Sequence, residues 1–120
     1  MKRIYHITPR CEIEKAARTG HHAPATLLAE GFIHCSYAHQ LEQVAARYFH
    51  GQRDLALLEV DPLLITAPIV NENFTGGPEL YPHIYGPLPM SAVTAIRELV
   101  CLPDGSFEWP CVVTQVCAKP

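Results

Sequence analysis

The chain has 120 residues, of which 48% are hydrophobic, and a formal net charge of −3 at pH 7. This length suits one domain with its own core, so a single domain over residues 1–120 is predicted. Only nine Lys and Arg stand against twelve Asp and Glu. That balance creates no general positive field, which argues against bulk nucleic-acid binding.

The sequence also carries signals about the cell compartment. No apolar run approaches the roughly 18 residues of a membrane span, and the N-terminus lacks the apolar stretch of a signal peptide. The five cysteines are an odd number and form no CxxC pair. We therefore expect reduced thiols, a cytoplasmic location and no membrane partner.

The first elements are read from residue spacing. Residues 3–8 alternate as a strand, with His6 on the same face as Ile4. Residues 11–18 have the apolar spacing of a helix that ends near Gly20. Residues 21–26 are expected to form a loop, with its two histidines in solvent.

The most informative stretch is residues 31–36 (Gly-Phe-Ile-His-Cys-Ser), which predicts a short buried strand carrying His34. Ser36 is expected to cap a helix, because apolar residues recur at helical spacing from Leu41 to Phe49. The N-terminus of such a helix favours anions, since its backbone N–H groups lack partners.

The second half of the chain is predicted to be mostly strands. Residues 54–60 are almost continuously apolar, as in a central strand covered on both faces. Residues 65–70 are predicted as a strand that Pro68 places at a sheet edge, followed by a polar loop over residues 71–78. Residues 91–100 and 106–109 are predicted to pair as a hairpin, and residues 111–120 form an apolar tail without a clear period.

Two early helices and five to seven short strands, mostly after residue 50, predict an α+β fold with a split, bent, mainly antiparallel β-sheet. The sequence contains neither GxGxxG nor GxxxxGK[ST]. A Rossmann or P-loop nucleotide site is therefore disfavoured.

Three histidines, His6, His34 and His83, each fall within an apolar or aromatic strand-like segment. A buried imidazole requires a partner or a ligand, and three of them suggest a binding site. A metal-dependent hydrolase built on these residues is a weaker alternative, because no HxH or HxxxH spacing is present. Cys35 is interpreted as a small buried thiol rather than a nucleophile.

Four segments together resemble a known family: residues 4–8 (Ile-Tyr-His-Ile-Thr), 30–36 (Glu-Gly-Phe-Ile-His-Cys-Ser), 57–62 (Leu-Leu-Glu-Val-Asp-Pro) and 79–88 (Glu-Leu-Tyr-Pro-His-Ile-Tyr-Gly-Pro-Leu). They are similar to the bacterial DUF952 family over about residues 3–100, which leaves 101–120 as a C-terminal hairpin and tail. The resemblance implies an ADP-ribosyltransferase-like fold whose cleft binds a small-molecule nucleotide ligand, NAD or an ADP-ribose-type group.

The resemblance also implies roles for individual residues. The catalytic candidates are His34, His83 and a carboxylate that stabilises the cationic sugar, for which Glu79 is chosen and Glu72 is the other candidate. The ligand-binding candidates are His6, Ser36, Arg47, Tyr81 and Tyr85. Two function classes stay open: an NAD-dependent transferase or hydrolase, and a module that binds the nucleotide without turnover.

Overall fold

The computed structural model describes residues 2–109, and the predicted tail at 111–120 lies outside this range. In chain order, its elements are β1 (Ile4–Pro9), α1 (Arg10–Thr19), β2 (His21–His22), α2 (Ala25–Glu30), β3 (Ile33–His34), α3 (Leu41–Tyr48), β4 (Leu55–Val60), β5 (Ile69–Glu72), β6 (Tyr81–Ile84), β7 (Leu88–Pro89), β8 (Val93–Cys101) and β9 (Phe107–Glu108).

The strands form three antiparallel sheets, which confirms the predicted α+β class. The largest has the order β1-β4-β8-β9, a second has the order β3-β6-β5, and β2 pairs with β7. The first two meet where Tyr5 and Ser36 exchange backbone hydrogen bonds of 2.7 and 2.8 Å. This bridge places β1, an edge strand of the large sheet, beside the end of β3.

The predicted central strand is confirmed as β4, which lies between β1 and β8. Its two faces belong to two separate apolar clusters. On one face, Leu57 packs in a cluster with Leu41 and Ala45 of α3. On the other, Leu58 packs in a cluster that includes Ile84 of β6. A strand covered on both faces therefore has the continuous apolar sequence seen here.

The first helix ends as predicted. Gly20 adopts φ 87°, and its N–H donates to the carbonyl of Ala16 at 2.7 Å. A residue with a side chain is strained at this left-handed φ, so glycine suits the position. The C-terminal hairpin is also confirmed, because β8 and β9 pair across a turn at residues 103–106.

The loop expected at residues 21–26 is wrong. His22 instead pairs with Leu88 in the two-stranded sheet, and α2 begins at Ala25. This helix has six residues and no buried side chain. Leu27 packs against the core, but six residues are too few for a helical period to be read.

Ser36 does not cap the helix, contrary to the prediction. Its backbone is extended and bonded to Tyr5, and a 3₁₀ turn at Ala38–Gln40 precedes α3. The N–H of Tyr37 donates to Gln40 Oε1 at 2.9 Å. The helix start is thus stabilised by Gln40, and Ser36 belongs to the junction between the sheets.

Residues 65–70 were predicted as a strand, but β5 begins only at Ile69 and continues through Glu72. It lies at the edge of its sheet, as Pro68 indicated. Extension of the strand to Glu72 places this carboxylate in the sheet rather than in the expected loop. None of the helices within residues 2–109 is both long and apolar enough to span a membrane.

Candidate functional site

A cavity of about 570 Å³ opens between β1 and the three-stranded sheet. This volume is within the range of small-molecule sites. Side chains reach it from β1, α2, the Phe32–Ser36 segment, the C-terminal part of α3, the loop after β5, and β6. A smaller cavity of about 270 Å³ lies between α1 and β8 and has neither histidine nor aromatic residues in its wall.

One wall of the large cavity carries a histidine–carboxylate pair. His83 Nδ1 donates to Glu72 Oε2 at 2.9 Å, and the Tyr85 hydroxyl donates to the same oxygen. The Tyr85 hydrogen bond, assisted by that of His83, lowers the pKa of Glu72. In turn, the hydrogen bond to Glu72 raises the pKa of Tyr85. The structure therefore fixes an ionised carboxylate in one orientation beside the cavity.

The ring of His83 is held rigidly. It stacks on Phe32 with a centroid distance of 4.1 Å and an interplanar angle of 14°. Its Nε2 atom has no hydrogen-bond partner within residues 2–109. Every fully buried side-chain N or O atom in that range has a partner, so Nε2 of His83 is not fully buried. Since His83 lines the cavity, its Nε2 atom is accessible from it. An ionised carboxylate only accepts, so Nδ1 of His83 carries the hydrogen of this bond.

A second histidine–carboxylate pair lies beside the first. His34 is the register partner of His83 across β3 and β6, and the two ring centroids are 5.1 Å apart. His34 Nε2 contacts Glu30 Oε2 at 3.0 Å. The expectation that His34 is buried is wrong, since 52% of its side chain is exposed. Alternation along β3 explains this, because Ile33 points into the core and His34 therefore faces the cavity.

His6 lies deeper and has protein partners at both ring nitrogens. Its Nδ1 is 2.6 Å from the carbonyl oxygen of His34, and its Nε2 is 3.1 Å from His22 Nε2. A carbonyl only accepts, so Nδ1 of His6 carries the hydrogen, and His22 donates to Nε2. Burial, and then the charge of His22, lowers the pKa of His6 to about 4. Both rings are thus held neutral at pH 7.

His22 was expected to be in solvent, and this is wrong. It is only 1% exposed, and burial lowers its pKa. The pairing of β2 with β7 turns its side chain inward. No periodic pattern around residues 21–22 indicates this, because the strand has only two residues.

Comparison with known proteins identifies the family. The family model described as "Protein of unknown function (DUF952)" matches residues 7–96. The chain belongs to the DUF952 family. Among curated proteins, none matches it.

Solved structures of another protein have the same fold as this DUF952 chain. The crystal structure of protein CC0527 from Caulobacter crescentus is 34% identical, with a TM-score of 0.83, over 98% of this chain and 100% of that one. The solution NMR structure of CC0527 is 35% identical, with a TM-score of 0.76, over 99% and 100% of the two chains.

Of the predicted site residues in this DUF952 protein, five line the cavity: His6, His34, Ser36, Tyr81 and His83. Tyr85 acts on the cavity indirectly, through its hydrogen bond to Glu72. Arg47 does not line the cavity. Its guanidinium group lies 5.4 Å from the centre of the ring of Tyr48, which does line it.

Glu79 also lies outside the cavity wall. Its Oε1 accepts from Gln40 Nε2 at 2.8 Å and contacts His39 Nε2 at 3.2 Å. These contacts join the loop before β6 to the start of α3. Of the two carboxylate candidates, Glu72 therefore lies at the cavity wall and Glu79 does not, because β5 extends past Val70 as far as Glu72.

The wall residues that sequence reasoning did not select include Glu30, Tyr48 and Phe74. Phe74 is the one with a readable signal, as an aromatic residue in an otherwise polar loop. Glu30 has no such signal, because its contact with His34 is seen only in the structure.

The residues do not favour a metal or a thiol nucleophile. In the described part of the chain, no group of three or more His, Cys, Asp or Glu side chains is arranged to hold a metal ion. Burial raises the pKa of the Cys35 thiol far above its usual range. A neutral thiol is a poor nucleophile.

Proposed function

We propose that this DUF952 protein binds NAD in the cavity and transfers or hydrolyses its ADP-ribosyl group, as an ADP-ribosyltransferase-like cytoplasmic enzyme. The observation that supports this most is Glu72, an ionised carboxylate fixed by two hydrogen bonds at the wall of an aromatic-lined cavity. The separate sheets with a cleft between them are in keeping with the fold that the family resemblance implies.

The reaction requires little acid catalysis. The bond between the ribose C1′ and the pyridinium nitrogen breaks, and its electron pair neutralises the nicotinamide, which leaves uncharged. The sugar acquires oxocarbenium character, as in glycoside hydrolysis. A fixed carboxylate near C1′ stabilises this positive charge more in the transition state than in the ground state. We assign that role to Glu72.

His83 orients the carboxylate and is available for the second half of the reaction. A hydroxyl, amine or water molecule forms the new bond at C1′ and must lose a proton. In the neutral form of the ring, the lone pair on His83 Nε2 accepts it, because Nδ1 keeps its own hydrogen in the bond to Glu72. The stack on Phe32 keeps the ring in this orientation.

A second candidate is a module that binds the nucleotide without turnover. It is favoured by the environment of His6, whose two ring nitrogens both have protein partners. His6 was expected to bind the ligand, and its ring nitrogens do so only if one of these hydrogen bonds breaks. If His6 does not contact the ligand, fewer protein groups hold the sugar for reaction. Binding without catalysis is then the competing proposal.

Thermal unfolding with NAD, followed by an assay for released nicotinamide, tests both candidates. A ligand at a hundredfold excess over its dissociation constant adds about 2.7 kcal/mol of stability. The unfolding midpoint should then rise by several degrees. Stabilisation with nicotinamide release supports the enzyme, and stabilisation without release supports the binding module. No stabilisation at millimolar NAD would overturn both.

A further inference from the structure

The wall of the large cavity has an unusual charge. Two of its side chains, Glu30 and Glu72, are acidic, and neither Lys nor Arg lines it among the described residues. Hydrogen bonds lower the pKa of Glu72. At pH 7 the cavity therefore presents the negative charge of these carboxylates beside the neutral imidazole of His6.

Two large aromatic side chains at this cavity are unusually exposed. Phe74 is 70% exposed and Tyr48 is 56% exposed, and both line the wall. Aromatic faces beside carboxylates attract cations, and they stack on flat heterocycles. Because the Arg47 guanidinium already lies over the Tyr48 ring, 5.4 Å from its centre, Phe74 is the exposed ring that offers its face to a ligand.

We propose that the part of the ligand inside the cavity is a nucleoside whose heterocycle is cationic, an N-ribosylpyridinium group, and that any phosphate stays outside the cavity. This inference rests on the proposed function and specifies its substrate class. The pyridinium ring stacks on the aromatic wall, its charge faces Glu30 and Glu72, and the ribose lies near the two histidine–carboxylate pairs.

The exclusion of phosphate follows from electrostatics. A phosphate taken out of water requires a cation or several donors, and here it would lie beside two carboxylates. Phosphate recognition in proteins generally uses Arg, Lys or a helix N-terminus. The predicted helix N-terminus is not available at this place, because Ser36 is bonded to Tyr5 and the helix starts further on.

Titration calorimetry with nicotinamide riboside, NAD and ADP-ribose, at low and high salt, tests the inference. Nicotinamide riboside is expected to bind within about threefold of NAD, and ADP-ribose at least about tenfold more weakly than either. Added salt should weaken riboside binding only a few-fold, since one charge interacts at short range.

A matched pair of variants tests the charge directly. Glu30→Gln should weaken riboside binding by about three- to tenfold, because it removes one of the two negative charges. Glu42→Gln, at an exposed position on α3 outside the cavity wall, is the control and should leave affinity unchanged.

The failures of the two proposals are distinguishable. If NAD and ADP-ribose bind equally while the riboside binds more than tenfold more weakly, the ligand is recognised by its phosphates. This inference is then wrong and the proposed function stands. If none of the three compounds binds, the proposed function fails, and this inference fails with it.

Discussion

Four histidines near β3 form two pairs with opposite environments. His6 and His22 are buried and hydrogen-bonded to each other. Within residues 2–109, neither ring is hydrogen-bonded to a carboxylate. His34 and His83 lie side by side on adjacent strands at the cavity wall, and each contacts a carboxylate. The comparison teaches that long-range strand pairing decides whether a histidine is buried against another histidine or lies at the cavity wall beside a carboxylate.

The largest expected effect concerns the pH dependence of the buried pair. The pKa of His6 falls from 6.5 when unfolded to about 4 when folded. Below pH 6.5 the unfolded chain therefore binds a proton that the folded chain does not. Stability is complete above pH 6.5 and is lost as the pH falls to about 4, by about 3 kcal/mol.

Urea unfolding of the wild type between pH 7.5 and 5 measures most of this loss, about 2 kcal/mol. The carboxylates with lowered pKa, such as Glu72, lose their contribution only below about pH 4.5, so they do not overlap with this window. His6→Gln should flatten the profile, and His50→Gln, at an exposed position, should not. A wild-type profile that is flat between pH 6.5 and 5 would show that the pair is not buried and neutral.

Mutations that distinguish the two histidine pairs are expected to have a smaller effect on the free energy of unfolding. His22→Ala removes the donor to His6 Nε2 and leaves that buried atom unpaired, which should cost about 2 kcal/mol of unfolding free energy. His34→Ala removes a half-exposed side chain, and its backbone carbonyl still accepts from His6. Its cost should stay within about 0.5 kcal/mol. Equal costs in the two variants would remove the distinction between the pairs.

The sequence was most informative where a pattern is long. β1, α1, β4 and the β8–β9 hairpin were predicted because their alternation, helical spacing or continuous apolar run extends over several residues. α2 and β2 were missed because six and two residues carry no readable period. Their conformation depends on contacts with distant parts of the chain, such as Leu88.

The same limit applies to the site. His34 and His83 were chosen as candidates from their surrounding residues, and the structure places them in register across two strands. The choice between Glu72 and Glu79 depends on where β5 ends, which local sequence does not determine. The burial of His22 depends on which strand pairs with residues 21–22. Long-range pairing, rather than local pattern, decides each of these details.

The most direct measurement of the central claim is the rate of nicotinamide release from NAD by the wild type, Glu72→Gln and Glu79→Gln. Both carboxylates have lowered pKa values and hydrogen-bond partners, but only Glu72 lines the cavity. We predict that Glu72→Gln lowers the rate by about 100-fold or more while the protein stays folded. We predict that Glu79→Gln stays within about twofold of the wild type. An unchanged rate in Glu72→Gln, or no release by the wild type, would contradict the account.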